Sequence, residues 1–288
     1  MEEESGDIDK HNGYSHAYPI ELLSRNPIVV DRPALTAALI RRLGRVQAPE
    51  DGKTEKTLLH FLLENYPVEF TDRSIPAQLY YMRPSEERSQ KQRTDPIEQA
   101  LQQSWAFRDA GELYDACGYS LLQANMASSP LSHQLRREII IHGLLAMLET
   151  TQVDLIYWTP TQQMLSAEQL RERYSNPEEL SNPVFGFLNV RFYNISNSDG
   201  DMVMDTLGLN ALGLTDFQVH FRKMDTEPVA QLLYNMGAYA FEKGDVVDTG
   251  HTVGEQRWKC QREVSLLSPK REVIDINPGP EFAAGNRS

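Results

Sequence analysis

Hydrophobic and polar positions alternate along much of the second half of the chain, and this period of two predicts β-strands. Five segments carry the pattern: VFGFLNVRFYNI (184–195), MVMDT (202–206), DFQVHF (216–221), RWKCQREVSLL (257–267) and REVIDI (271–276). The dipeptide Asp199-Gly200, between the first two segments, is typical of a tight hairpin turn. The glycine- and leucine-rich stretch after MVMDT predicts a second turn, because glycine accepts positive φ angles.

One segment in this half follows helical spacing instead. From Thr226 onward, apolar residues recur every three or four positions at Val229, Leu232, Leu233, Met236 and Ala240. Gly244 follows the stripe directly, at the position where glycine commonly ends a helix. The pattern predicts an amphipathic helix that packs on the sheet.

The first half mixes both periods. An extended segment covers 18–30, and strands are predicted over 57–63, 66–71, 76–82, 117–126 and 154–158, with helices over 34–43, 96–104, 131–150 and 167–174. Ser128 or Ser129 is the predicted N-cap of the third helix. Ser166 and Gln169 form a capping-box signature before the fourth.

Strands interleaved with single helices favour an α+β fold with mainly antiparallel sheets and helices on one face. Residues 117–158 and 216–264 both run strand, helix, strand, which predicts two related halves, each ferredoxin-like or an elaboration of that unit. We expect a disordered acidic tail at 1–17, an N-terminal half at 18–158, a C-terminal half at 159–276 and a flexible tail at 277–288. The polar segment 84–96 is the predicted linker or long loop.

Charge and composition narrow the classes of partner. The 288 residues are 40% hydrophobic and 24% charged, with a formal net charge of −13. This acidity disfavours nucleic acid and suits a basic protein partner. The apolar runs are shorter than a membrane span, and the start MEEESGDID is not a leader sequence, so we expect a cytoplasmic protein without a membrane partner.

The two cysteines, Cys117 and Cys260, predict buried reduced thiols rather than a metal site. No nucleotide-binding or hydrolase motif occurs, so the sequence predicts no cofactor and no metal. Oligomeric state is left open.

Four polar residues surround the glycine-rich turn. Asp205, Asp216, His220 and Arg222 could form a cluster at a sheet edge that binds a metal or anion or transfers protons. His220 and Arg222 alternate with Phe221 and so are expected to share one face. The favoured alternative is structural: the two aspartates cap turns and the histidine bonds within its strand.

A second candidate is the loop DTGHTVG (248–254), in which Asp248 could orient the imidazole of His251. The alternative is an ordinary loop whose aspartate and threonine bond their own backbone.

The C-terminal motifs resemble a known family. The segments DGDMVMDTLGLNALGLTDFQVHFR, VAQLLYNMGAYAFEKGDVVDTGHTVG and RWKCQREVSLLSPKREVIDI are similar to the bacterial family called domain of unknown function 4261 (DUF4261). The likeness is clearest over 199–276 and extends more loosely upstream through YSLLQANM and DLIYW. It implies an association with bacterial toxin, immunity and secretion genes, and it supplies no catalytic residue.

These observations predict a non-enzymatic, protein-binding immunity protein that occludes a secreted or contact-delivered bacterial toxin, which would be a basic toxin or effector domain. One alternative is an adaptor or chaperone that loads an effector onto a secretion system. Another is a hydrolase or modification-reversing enzyme that uses Asp205, His220 and His251.

Overall fold

A computed structural model describes residues 17–49, 58–82, 93–105, 107–126, 128–175, 182–198 and 200–285. Its strands are β1 (Ala17–Ser24), β2 (Val46–Gln47), β3 (Leu58–Glu69), β4 (Ser74–Met82), β5 (Tyr119–Met126), β6 (Leu155–Trp158), β7 (Gln163–Ser166), β8 (Asn189–Asn194), β9 (Met202–Leu207), β10 (Asp216–Phe221), β11 (Thr252–Val253), β12 (Trp258–Val264) and β13 (Glu272–Asn277). Its helices are α1 (Arg32–Leu43), α2 (Asp95–Gln103), α3 (Ala110–Ala116), α4 (His133–Thr150), α5 (Ala167–Ser175) and α6 (Thr226–Lys243). Several predicted features lie outside the described residues: the tail over 1–16, the start of the strand at 57, the linker over 84–92, Asp199 of the hairpin turn and the last three residues.

The described chain divides into two units, one ending at Arg191 and the other beginning at Phe192. The prediction placed this boundary after residue 158. The division falls later because β7 pairs with β6, Phe187 packs against Trp158, and Arg191 donates to Gln162. The α+β class is confirmed, since both units combine helices with mainly antiparallel sheets.

The first unit contains a seven-stranded sheet in the order β2-β3-β4-β5-β1-β6-β7. Helix α4 packs on the face that carries Tyr81 and Gln123, which lie opposite each other on β4 and β5. The Tyr81 hydroxyl donates to the Gly143 carbonyl over 2.8 Å, and the Gln123 amide donates to the Ile140 carbonyl over 3.0 Å. A side chain at position 143 would crowd these contacts, so glycine allows the close approach.

The other face of this sheet is also covered, which corrects the expectation of helices on one face. Leu23, Leu155, Tyr157 and Met164 form a buried cluster with residues of α2 and α3. Leu22 pairs with Leu121, which shares the α4 face with Gln123 because the two are two residues apart on β5. Leu23 follows Leu22 and points to the opposite face, so this cluster lies on the side away from α4. Helix α3 had no predicted counterpart because it has only seven residues.

The second unit contains a six-stranded sheet in the order β11-β12-β13-β10-β9-β8. Strands β10 and β13 run parallel, whereas β9 and β12 are antiparallel to them. Because β5 and β6 both run antiparallel to β1, they share one direction, whereas β10 and β12 run in opposite directions. The two strand-helix-strand segments therefore differ in topology, and the predicted relationship between the halves does not extend to their sheets.

The C-terminal segment was predicted to be flexible, but its described part is attached to the sheet. The Phe282 carbonyl accepts from the Arg222 N–H over 2.8 Å, and Ala284 donates its N–H to the His220 carbonyl over 3.2 Å. Phe221 and Ala283 form an antiparallel bridge. Residues 278–285 thus bond the end of β10, where β13 no longer pairs with it.

Capping residues and glycines in the sequence predicted most helix ends correctly. The capping box at α5 is confirmed: Ser166 and Gln169 exchange side-chain to backbone hydrogen bonds of 3.0 Å each. Gly244 ends α6 at φ +85°. The cap of α4 is Ser132 rather than Ser128 or Ser129, because a turn at Ser128–Leu131 precedes the helix.

Candidate functional site

Asp205 and Asp216 are brought together by an arginine. Both carboxylates are fully buried, and the side chain of Arg271 is 5% exposed between them. Arg271 donates from Nη2 to Asp205 Oδ2 over 2.7 Å and from Nε to Asp216 Oδ2 over 2.9 Å. The result is a buried cluster of one guanidinium and two carboxylates in the second unit.

Strand register explains why these groups meet. Gln218 lies opposite Asp205 on β9 and opposite Asp275 on β13, so Asp205, Asp216, Gln218 and Asp275 share one face of the sheet. Gln218 donates to Asp275 over 3.0 Å and accepts from the Leu266 N–H over 2.9 Å. We call Asp205, Asp216, Gln218, Arg271 and Asp275 the buried polar cluster.

Asp216 also organises the glycine-rich turn. Its Oδ1 atom accepts from the Thr206 hydroxyl over 2.9 Å and from the Leu209 N–H over 3.2 Å, and Oδ2 accepts from the Asn210 N–H over 3.4 Å. Positive φ angles at Gly208 and Gly213 allow the chain to reverse here. Asp216 therefore matches the structural alternative predicted from the sequence, in which its side chain bonds the backbone of a turn.

The pKa values in the cluster follow from its burial and from the presence of two carboxylates beside one guanidinium. Burial raises the pKa of the Asp216 carboxyl, and the Arg271 charge only partly opposes this. Burial by itself would lower the pKa of Arg271, but two adjacent carboxylates raise it instead. Arg271 therefore stays charged while one cation serves two acids.

His220 and Arg222 lie beside the C-terminal segment. His220 Nε2 is 4.0 Å from Asp201 Oδ2, and its ring contacts Gly285, where a Cβ atom would come within 3.0 Å of the ring. Arg222 follows the last residue of β10 and bonds Phe282 through its backbone N–H. The predicted four-residue cluster thus has a different composition: Arg271 joins the two aspartates, and His220 lies beside Ala284 and Gly285.

The loop with Asp248 and His251 is anchored by another arginine. Asp248 Oδ1 accepts from Arg262 Nε over 2.9 Å and from the Thr249 N–H over 2.7 Å. The His251 ring accepts at Nδ1 from the Asp248 backbone N–H over 3.3 Å, so the backbone, rather than the carboxylate, orients the imidazole. Hydrogen bonds from Thr249 and Arg262 lower the pKa of the Asp248 carboxyl.

Asp205 and His251 belong to different parts of the sheet. His251 accepts from the Cys260 N–H at the outer side of β12, whereas Asp205 lies on β9, with β13 and β10 in between. At about 4.8 Å per strand, the two backbones are roughly 19 Å apart. The three residues of the enzyme hypothesis, Asp205, His220 and His251, therefore do not converge on one site.

Sequence reasoning missed Arg271 and Arg262. Arg262 bonds Asp245, Asp248 and Glu272 through its guanidinium at 3.1, 2.9 and 2.7 Å. Both arginines sit in segments that predict strands, where a basic residue looks like an ordinary solvated position. Their partners are 10 to 66 residues away in the sequence, and only the sheet register brings them close.

The cysteines match the sequence expectation. Cys117 and Cys260 are buried and are not joined in a disulfide, and burial, with Asp275 nearby, raises the pKa of Cys260 to about 11. Within the described residues, no group of three His, Cys, Asp or Glu side chains is placed to hold a metal ion. No helix of the described part of the chain is long and apolar enough to cross a membrane.

The second unit also has an open cleft of about 700 Å³ beside the C-terminal segment. Trp258 and Phe282 line it together with prolines 278 and 280. A cleft of about 860 Å³ in the first unit lies between α3, α5 and the Arg25–Asp154 ion pair.

Residues 205–277 match the family model described as Domain of unknown function (DUF4261). The second unit therefore contains a segment that is similar to the DUF4261 family. The match begins at Asp205 and ends at Asn277, so the whole buried polar cluster and the Arg262 network lie within the DUF4261 segment. No curated protein and no solved structure matches the chain.

Proposed function

We propose that this protein is a non-catalytic immunity protein that binds a bacterial toxin in the cytoplasm of the producing cell and covers the toxin's active cleft. One observation carries the proposal: the acids that the sequence marks as candidates for chemistry are bonded to arginines of the same chain. Asp205 and Asp216 bond Arg271 in the interior, and Asp248 bonds Arg262. Groups used in this way support the fold, and the surface is left to bind a partner.

The character of the surface supports a protein partner. Trp105 is 61% exposed, and aromatic side chains of this kind often supply much of the binding energy of a protein interface. The net charge of −13 would steer a basic domain toward this protein. Occlusion of a toxin cleft needs shape and charge complementarity and no reactive centre.

The test is a titration of toxin activity with the purified full chain. The toxin for this test would be sought among proteins encoded beside this gene in its native host. We expect co-purification of the two proteins, rescue of growth in cells that express the toxin, and complete inhibition at about one protein per toxin. A toxin that still kills in the presence of excess protein would contradict the proposal.

Stoichiometry and two variants separate binding from catalysis. An enzyme would neutralise many toxin molecules per protein, and its activity would fall in His220→Ala or His251→Ala. A binder retains equimolar inhibition in both variants. Loss of effector secretion without self-poisoning, after deletion of the gene, would instead indicate an adaptor.

A further inference from the structure

The outer edge of β12 is open next to exposed apolar side chains. Val264 is 48% exposed, Leu266 46% and Val246 47%. Val264 ends the strand, and Val246 lies between Asp245 and Val247, both of which accept from Arg262 Nη2. Large apolar groups this exposed beside a strand edge mark a surface for another polypeptide.

The hydrogen-bond pattern identifies which backbone groups face outward. The Ser265 N–H donates to the Arg271 carbonyl over 2.8 Å, so odd-numbered residues of this strand bond toward β13. Cys260 bonds in the opposite direction, to His251 and Gly250. Val264, an even-numbered position, therefore directs its N–H and carbonyl away from β13.

The nearby loop satisfies only part of this edge. Residues 248–251 bond Cys260 on both backbone groups, and Thr249 Oγ1 accepts from the Arg262 N–H over 3.0 Å. Within the described residues, no hydrogen bond outside the β12–β13 ladder involves the Val264 N–H, the Val264 carbonyl or the Arg262 carbonyl. These three groups form a short template for one more strand.

The charged residues around this edge determine which charge a partner segment should carry. Asp245, Asp248 and Glu272 all bond Arg262. Lys270 donates from its ammonium to the Ser265 and Leu266 carbonyls, whereas the nearby Arg271 is paired with Asp205 and Asp216 in the interior. Outside the buried polar cluster, three carboxylates and two cations leave an excess of negative charge at this edge.

We propose that the edge of β12 at Arg262–Val264 binds an extended, basic segment of the partner protein by strand addition. Backbone bonds to Val264 and Arg262 supply the pairing, Val246, Val264 and Leu266 contact apolar side chains of the segment, and the excess carboxylates pair with its lysines or arginines. This inference rests on the proposed function in assuming a protein partner, and it names the surface and the class of segment.

The probe is a short synthetic peptide of alternating lysine and valine, added to the full chain. Two analogues serve as controls, one with glutamate in place of lysine and one with N-methylated valines that cannot pair as a strand. We expect saturable amide shifts at residues 262–266 in NMR spectra and slower hydrogen exchange of the Val264 N–H. The acidic analogue binds at least about tenfold more weakly, and the N-methylated analogue does not bind.

Two variants test the edge itself. Val264→Pro removes the outward N–H and leaves the β13 bonds in place, and Val264→Lys keeps the backbone while adding a charge of the peptide's own sign. Both weaken the basic peptide at least about tenfold, whereas Tyr239→Ser, at an equally exposed position on α6, leaves it unchanged. If Val264→Pro does not fold, Val264→Lys still tests whether the peptide binds at this edge.

Several results would overturn the inference. They are equal binding of the N-methylated peptide, shifts confined to other residues, and dimerisation of the wild-type chain that Val264→Pro abolishes, since the last means that a second copy occupies the edge. If Val264→Pro inhibits the toxin as the parent does, the partner binds elsewhere and the immunity function still stands. If the peptide pairs at β12 but the toxin escapes inhibition, the edge is real and the immunity function is wrong.

Discussion

Arg271, the residue before β13, donates to Asp205 on β9 over 2.7 Å and so reaches across the intervening strand β10. The same guanidinium donates to the Thr206 carbonyl over 2.6 Å and to the Pro269 carbonyl over 2.9 Å. One side chain thus joins two strands and the loop before β13. Because its partners are buried, its removal would leave two acids without a cation.

Arg271→Ala is expected to destabilise the second unit by about 3–5 kcal/mol, the usual cost of leaving a buried charge uncompensated. Urea denaturation followed by circular dichroism measures the loss. Arg257→Ala removes an exposed arginine from the same unit and should change stability by less than about 0.5 kcal/mol. Similar stabilities for the two variants would show that the buried ion pairs contribute little.

Asp216→Asn tests the raised carboxyl pKa. The folded pKa lies above the unfolded value of about 3.9, so the folded state binds more protons between the two values. The stability from this group is full below about pH 4 and is lost as the pH rises through the folded pKa. From pH 4 to pH 7, the parent should therefore lose stability relative to the Asp216→Asn variant.

Asp248→Asn is the matched control, with the opposite sign. Hydrogen bonds lower the pKa of Asp248, so its contribution is present above about pH 4 and is lost as the pH falls through the folded value. Denaturant titrations at several pH values measure both differences. Slopes of the same sign in the two variants would contradict the assigned electrostatics.

Gly186→Ala is expected to cost about 2–4 kcal/mol, because two effects add. Gly186 has φ +79°, and a Cβ atom there would lie 2.8 Å from the Trp158 ring, which is buried and cannot move easily. Gly244→Ala isolates the first effect, since it has φ +85° and open space around it, and should cost about 1 kcal/mol. Equal thermal stabilities of the two variants would contradict the ring contact.

Arg262→Lys should loosen the loop over 245–251 without unfolding the sheet. Arginine reaches Asp245, Asp248 and Glu272 with separate nitrogens, which a single ammonium cannot do. Hydrogen exchange at the Gly250 and Cys260 amides, which bond between loop and strand, is expected to become faster. Unchanged exchange there, with a folded sheet, would mean that the backbone bonds alone hold the loop.

Sequence periodicity determined most elements of this fold, because the signals act between near neighbours. The stripe from Val229 to Ala240 and the glycine after it defined α6, and Ser166 with Gln169 defined the start of α5. Strands β2, β7 and β11 gave no signal, since two to four residues are too few to show a period. The segments predicted as strands at 57–63 and 66–71 form the single strand β3, in which a register shift between Leu63 and Pro67 absorbs the break in pattern.

The candidate site shows the same division. The sequence marked Asp205 and Asp216 as polar residues in apolar strands, and its resemblance to the DUF4261 family is confirmed over residues 205–277. The sequence left open whether those carboxylates form a binding or proton-transfer site or stabilise the fold. Arg271 could not be paired with them from sequence, because strand register over more than 50 residues sets that contact.

By itself, then, the sequence determined the α+β class, the amphipathic helix after β10, the acidic charge and the likeness of residues 205–277 to the DUF4261 family. Tertiary structure alone decided that Arg271 bonds both buried acids, that Arg262 anchors the loop with His251, and that residues 278–285 bond β10. The physical reason is the separation, along the sequence, of the residues that interact. Helix caps and apolar stripes depend on residues a few positions apart, whereas ion pairs between strands depend on which strands lie side by side and in what register.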